Sequence, residues 1–204
     1  MSDHKPTPAL STPDGPATGA GHSLADIARL LADRRLPPVE RWNPPFCGDI
    51  DMRIARDGSW WYMGTPIGRP AMVKLFSSVL RRDGDDFFLV TPVEKVGIRV
   101  DDAPFVAVEV VSDGAGRDRR LAFRLNTDEH VIAGPDNRLR VVVDPVTGEP
   151  RPYLHVRRGL EALVNRPVFY ELAALALAET DDVGTPLGLW SEGVFMTLTG
   201  DAPC

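Results

Sequence analysis

The strongest constraint in this sequence is a change of period at Asp49. From there Ile50, Met52 and Ile54 alternate with Asp49, Asp51 and Arg53, and the turn "RDGS" leads into "WWYMG". Alternation at period two sends one set of side chains to a core and the other to solvent, so the segment reads as a β-hairpin. Strands are expected again at "FFLVTP", "KVGIRV", "FVAVEVV" and "RLAFRL", with Gly- and Asp-rich turns between them.

Helical period interrupts this pattern. In "PIGRPAMVKLFSSVLRR", Pro70 suits a first-turn position, and Met72, Leu75, Phe76, Val79 and Leu80 form the expected buried stripe. Later come "LRVVV", the turn "DPVTGEP", "PYLHVRR", a helical "GLEALVNRPVFYELAALALA" and a last hairpin, "LGLWSEGVFMTL". Both halves thus run strand, turn, aromatic strand, Arg, helix. Trp60 and Tyr62 answer to Tyr153 and His155, and Arg69 to Arg157 or Arg158. The expected fold is α+β, with two related small β-rich units over residues 36–136 and 137–204. Each carries a helix packed on antiparallel strands, the helices starting near Pro70 and Arg158. Chance recurrence of two common β-β-α units is the alternative.

Ahead of these units, residues 1–22 are rich in Pro, Gly, Thr and Ala and hold almost no large apolar side chains, so a disordered tail is expected. Residues 23–35, "SLADIARLLADRR", read as an amphipathic helix with Ser23 as N-cap and Leu24, Ile27, Leu30 and Leu31 on one face. The prolines of "LPPVERWNPP" end it in an extended connector.

Charge and cysteine content narrow the classes of function. A net charge of −6 argues against broad nucleic-acid binding, which needs a large excess of Lys and Arg on one surface. Two cysteines, Cys47 and the last residue Cys204, make no disulfide framework. With no apolar signal segment and no run of roughly 20 apolar residues, no membrane span is expected and a cytoplasmic setting is the simplest.

Against that acidic background, two stretches are basic. From Leu36 to Arg82 there are seven Lys and Arg against four acidic residues, and from Arg151 to Val168 four Arg against Glu161 alone. Both lie where an aromatic strand runs toward an expected helix. A helix N-terminus offers unpaired N–H groups and positive partial charge, so added Arg favours phosphate or carboxylate there. The candidate ligand-binding residues are Arg41, Trp42, Trp60, Arg69, Lys74, Tyr153, His155, Arg157 and Arg158. Strand geometry puts Tyr153, His155 and Arg157 on one face of "YLHVRR" and Leu154 and Val156 on the other, a row that could stack a base, hydrogen-bond it and hold a phosphate. The plainer readings are a solvated face with ordinary ion pairs and a structural histidine.

Other chemistry finds less support. Asp49 and Asp51 share a strand face roughly 7 Å apart, a spacing open to a hydrolytic pair or a cation, but Arg53 is placed to neutralise them. Cys47 in "PPFCGD" with His155 as base would make a nucleophile pair; a buried, inert thiol is the default. "GTPIGRPAMVK" is one residue too short between its glycines and lacks the Lys-Ser/Thr ending of a phosphate-binding loop. No metal, catalytic residue or cofactor is assigned.

The segment "RWNPPFCGDIDMRIARDGSWWYMGTPIGRPAMVKLFSSVLRRDGDDFFLVTPVEKVGIRVDDAPFVAVE", with "YLHVRRGLEALVNRPVFYEL" later, resembles the bacterial family of domains of unknown function numbered 1285. The resemblance covers about Leu36 to Leu198. It implies two domains from an internal duplication, a C-terminal part superficially like pleckstrin-homology folds, a nucleotide-like ligand at the domain interface and a role in signalling, possible partner included. It supplies no catalytic residue. The function expected is therefore a non-enzymatic sensor of a small anionic, nucleotide-based ligand. The alternatives are a hydrolase using Asp49/Asp51 or Cys47/His155, and a pure protein-interaction module.

Overall fold

The computed structural model describes residues 36–179 and 186–200. The expected tail and the helix at residues 23–35 lie outside them. Two six-stranded sheets form the body. The first contains β1 (Phe46–Ile54), β2 (Trp60–Tyr62), β3 (Thr65–Pro66), β4 (Leu80–Asp83), β5 (Asp86–Val90) and β6 (Lys95–Val100), with α1 (Pro70–Ser78) between β3 and β4. The second contains β7 (Phe105–Asp113), β8 (Arg120–Leu125), β9 (His130–Ile132), β10 (Leu139–Val143), β11 (Pro150–Arg157) and β12 (Leu160–Val164), followed by α2 (Arg166–Glu179). A separate hairpin, β13 (Gly188–Ser191) with β14 (Val194–Thr197), ends the described chain.

The sheets share one topology. The first runs β3-β2-β1-β6-β5-β4 and the second β9-β8-β7-β12-β11-β10. In each, the first and last strands of the unit are the parallel pair, β1 with β6 and β7 with β12, and every other pairing is antiparallel. Two related β-rich units are therefore present, but in a different register from the one expected. The sheets divide between Val100 and Phe105, not near Asn137, because β7 pairs with β12 and draws residues 105–132 into the second sheet. In this correspondence β11 matches β5, so Tyr153 and His155 are not the counterparts of Trp60 and Tyr62. The helices are not equivalent either: α1 lies between β3 and β4 of its sheet, whereas α2 follows β12, the last strand of its sheet. The start expected near Arg158 moves to Arg166, since Leu160–Val164 is strand.

Local chemistry explains the elements. The turn between β1 and β2 closes with Gly58 at φ +81° and with the Asp57 carboxylate accepting from the Ser59 N–H and hydroxyl. On α1 the buried stripe is rotated from expectation. Trp60 stacks on Phe76 at 6.1 Å, Val73 and Phe76 pack on the core and Ser77 is buried, while Met72 and Leu75 are exposed. On β11 the alternation is as read: Leu154 and Val156 join the core.

One apolar cluster spans both units, joining Ile54, Trp60 and Leu80 to Phe105, Phe123 and Leu154. Asn126 ties the units outside it. Its carbonyl accepts from the Val106 N–H at 3.0 Å and its amide donates to the Gly58 carbonyl at 3.1 Å. Gly58 permits that approach, since a Cβ there would stand 2.4 Å from the Asn126 amide. Asn126→Ala removes both bonds and strands a buried N–H, so it should cost about 1–3 kcal/mol in urea unfolding; a cost below about 0.5 kcal/mol would mean that the strut carries no load.

Candidate functional site

The two units meet at a groove of about 360 Å³. The β1–β2 turn supplies Asp57 to Trp60, the approach to α1 supplies Pro66 to Gly68, α1 supplies Pro70, Val73 and Lys74, and the β8–β9 turn supplies Asn126, Thr127 and Asp128. Arg69, exposed, is the N-cap of α1. That helix has no acidic residue in its first turn and no side-chain cap, so the positive end of its dipole is uncompensated.

Two polar atoms of this lining are buried without a hydrogen-bond partner: the Trp60 indole Nε1 and the Thr127 hydroxyl. Their residues are 1% and 3% exposed. An indole N–H can only donate, whereas a hydroxyl can donate or accept. At the mouth, Lys74 Nζ donates to Asp128 Oδ2 at 2.6 Å, and Arg124 lies 3.4 Å from the other oxygen. The bond from Lys74, with Arg124 beside it, holds the Asp128 carboxyl below the usual carboxylate range.

The nine residues singled out from sequence do not converge. Lys74 and Trp60 line the groove and Arg69 caps the helix at its edge, but Trp60 is core and presents no face for a ligand to stack on. Arg41 ends the short 3-10 turn Val39–Arg41 and Trp42 follows it; the Val39 and Trp42 carbonyls accept from Arg81. Arg158, at φ +51° in the β11–β12 turn, pairs with Glu40 at 2.7 Å and donates to the Pro37 carbonyl.

Arg157 is a structural clamp. Its side chain is 11% exposed, pairs with the buried Glu129, donates to the Ser77 carbonyl at 2.9 Å and lies over the Phe105 ring at 5.0 Å. It stands at the C-terminal end of α1, the pole that favours a cation. The two basic stretches touch, through Arg157 on the Ser77 carbonyl, Arg158 on Glu40 and Arg82 on the Gly159 carbonyl, but β12 intervenes before α2, so the helix entry is Arg166, paired with Glu149.

Tyr153 and His155 are also bound within the protein. Tyr153 donates to Asp102 at 2.7 Å beneath the Arg140 guanidinium, and burial first, then that bond, push its phenol up to about 12. His155 Nδ1 meets the Asp136 carbonyl at 2.7 Å, and Nε2 accepts from the Gly159 N–H. With both ring nitrogens engaged, His155 is not placed to serve Cys47 as a base. Cys47 is exposed rather than buried, its Sγ 3.5 Å from the Pro45 carbonyl. Asp49 and Asp51 lie on the outer face of the first sheet, where Arg53 pairs with Asp101 instead of neutralising them. Asp49 packs over Gly97, where a Cβ would come within 1.9 Å of its carboxylate. Among the described residues no group of three His, Cys, Asp or Glu could hold a metal, and no helix is long and apolar enough to cross a membrane.

Sequence reasoning missed Asn126, Thr127 and Asp128. Their only signal is the polar run "NTDE" closing a hairpin, which says nothing of the element it faces.

Two outcomes check these assignments. Arg157→Ala takes the guanidinium from the buried Glu129 and should destabilise by about 3–5 kcal/mol in chemical denaturation; a change under about 1 kcal/mol would contradict the clamp. Tyr153, with a raised folded value, contributes stability that is whole below the unfolded tyrosine value near 10 and is lost as pH climbs toward about 12. Tyr153→Phe should flatten that alkaline loss, read as unfolding free energy from pH 9 to 12; an unchanged slope would contradict the assignment.

Comparison with known proteins follows this division of the chain. The model described as domain of unknown function (DUF1285), N-terminal domain, matches residues 37–103, and that described as protein of unknown function (DUF1285), C-terminal domain, matches residues 104–198. A crystal structure of a DUF1285 family protein from Silicibacter pomeroyi DSS-3 is similar at 54% identity and a TM-score of 0.75, over 89% of this chain and 97% of that one. Another, from Shewanella baltica OS155, is 26% identical with a TM-score of 0.48, over 61% of this chain and 91% of that one. No curated protein matches the chain.

Proposed function

We propose that this chain, which belongs to the DUF1285 family, is a non-enzymatic protein that binds a small anionic ligand of nucleotide type in the groove between its units and signals occupancy to a partner. The observation that carries the reading is that two residues lining one groove, Trp60 and Thr127, each bury a polar atom without a partner, Nε1 and Oγ1. Leaving each unpaired costs about 1–3 kcal/mol, a cost that a ligand's acceptor atoms would offset. The uncapped α1 N-terminus, with Arg69 as its N-cap, adds positive potential that suits a phosphate or carboxylate, and Lys74 adds its charge when released from Asp128, against the acids Asp57 and Asp128 of the same lining. The groove draws its walls from both units, so a ligand there would contact both at once and occupancy would be read as a change in how they are linked.

Binding rather than hydrolysis is favoured because the groups named for hydrolysis stand elsewhere. His155 is engaged at both nitrogens, and neither Cys47 nor Asp49 nor Asp51 lines the groove.

Titration calorimetry with nucleoside mono- and diphosphates tests the reading. Lys74→Ala and Arg69→Ala should each weaken binding, by about 1.5–3 kcal/mol if the side chain holds a phosphate. Thr127→Val should leave folding stability unchanged or slightly raised while weakening binding by about 1 kcal/mol. If no nucleotide binds, or if Thr127→Val stabilises the fold without touching affinity, a protein-interaction module becomes the better account.

A further inference from the structure

The mouth of the groove is occupied by the chain itself. Asp128 stands on the tight β8–β9 turn at φ +58°, held there by its N–H to the Leu125 carbonyl at 2.9 Å. Its carboxylate lies between two cations from different units, Lys74 of α1 at 2.6 Å and Arg124 of β8 at 3.4 Å. Arg124 has a second acid, Glu109 at 2.7 Å, so it keeps a partner if Asp128 leaves. Lys74 and Asp128 are both about half exposed, so the pair is open to exchange with a dissolved anion.

We infer that the Asp128 carboxylate is a built-in competitor that fills the anion position of the groove and must be displaced from Lys74 when a ligand's anionic group enters. This rests on the groove reading above and adds its regulation. Lys74 can donate to more than one acceptor, but an anion that enters while Asp128 is bound meets an ammonium already neutralised and a second negative charge beside it, so Asp128 and the ligand's anionic group compete for Lys74. The contact joins the units, so its exchange would replace a direct link between α1 and the β8–β9 turn by one made through the ligand. The pair thereby sets a threshold: weakly held anions leave the link intact, and a ligand that also meets Trp60 and Thr127 breaks it.

Asp128→Asn tests this, because asparagine keeps the shape and tolerates left-handed backbone while losing the charge. Asp128→Gly is a second variant allowed at the same φ. Glu94→Gln, an exposed acid in the β5–β6 turn, controls for net charge. Binding of adenosine monophosphate and of adenosine is measured for each by calorimetry, with thermal midpoints confirming the fold. Both Asp128 variants should bind adenosine monophosphate about two- to fivefold more tightly, the scale of an exposed ion pair, with adenosine and Glu94→Gln unchanged. If the wild-type protein binds adenosine monophosphate and the Asp128 variants bind it equally or more weakly, the competitor is overturned and the groove reading stands. If neither the wild-type protein nor the variants bind either compound, the groove reading falls and the competitor with it.

Discussion

Everything in this structure depends on how two small sheets are made to share one core. Neither unit covers its own apolar face; Trp60 and Leu80 of the first are buried in a cluster with Phe105, Phe123 and Leu154 of the second. Apolar burial at about 25 cal/mol per Å² drives such a union but does not orient it. Orientation comes from two polar devices: the Arg157 guanidinium tied to Glu129 and Ser77, and the Asn126 amide spanning Val106 and Gly58. Both are partly or wholly buried, so a displacement of one unit would leave a polar group without partner.

The groove is a consequence of that orientation. Asn126 holds the β8–β9 turn against the β1–β2 turn, and the same hairpin brings Thr127 and Asp128 beside the start of α1. Pro70 at the head of α1 and the absence of an acidic first turn leave that end positive. The basic residues most conspicuous in the sequence serve elsewhere. Arg81, Arg157 and Arg158 donate to backbone carbonyls and carboxylates within the protein, so an excess of positive charge in a stretch of sequence did not mark a free surface.

Much of the fold was legible locally. The period-two stretches became strands, Pro70 opened α1, and Leu154 and Val156 turned to the core as read. The failures have physical causes. "LEALV" is a short apolar run that helix and strand accommodate equally, and only pairing with β7 and β11 decides for strand. The same parallel pairing, joining residues over fifty positions apart, moved the division of the units to Val100–Phe105. The rotation of α1 was set by Trp60 stacking on Phe76, a contact across elements. The groove was hidden for the same reason: Thr127 matters only because the opposite unit leaves its hydroxyl buried and unpaired. Family resemblance pointed to the interface between domains, while the residues chosen for it by charge and aromaticity were largely those that build the interface.

The most direct measurement is the indole N–H resonance of Trp60 in a ¹⁵N-labelled sample titrated with a nucleoside monophosphate. Trp190 packs on Phe195 in the last hairpin and is not part of the groove lining, so it serves as the internal reference; Trp61 already donates to the Ser59 hydroxyl. The account predicts that the Trp60 N–H shifts downfield with saturation, as a donor acquiring an acceptor does, while Trp190 stays in place. A Trp60 resonance unmoved at saturating nucleotide, or shifts confined to Trp61 and the outer face of the first sheet, would contradict it.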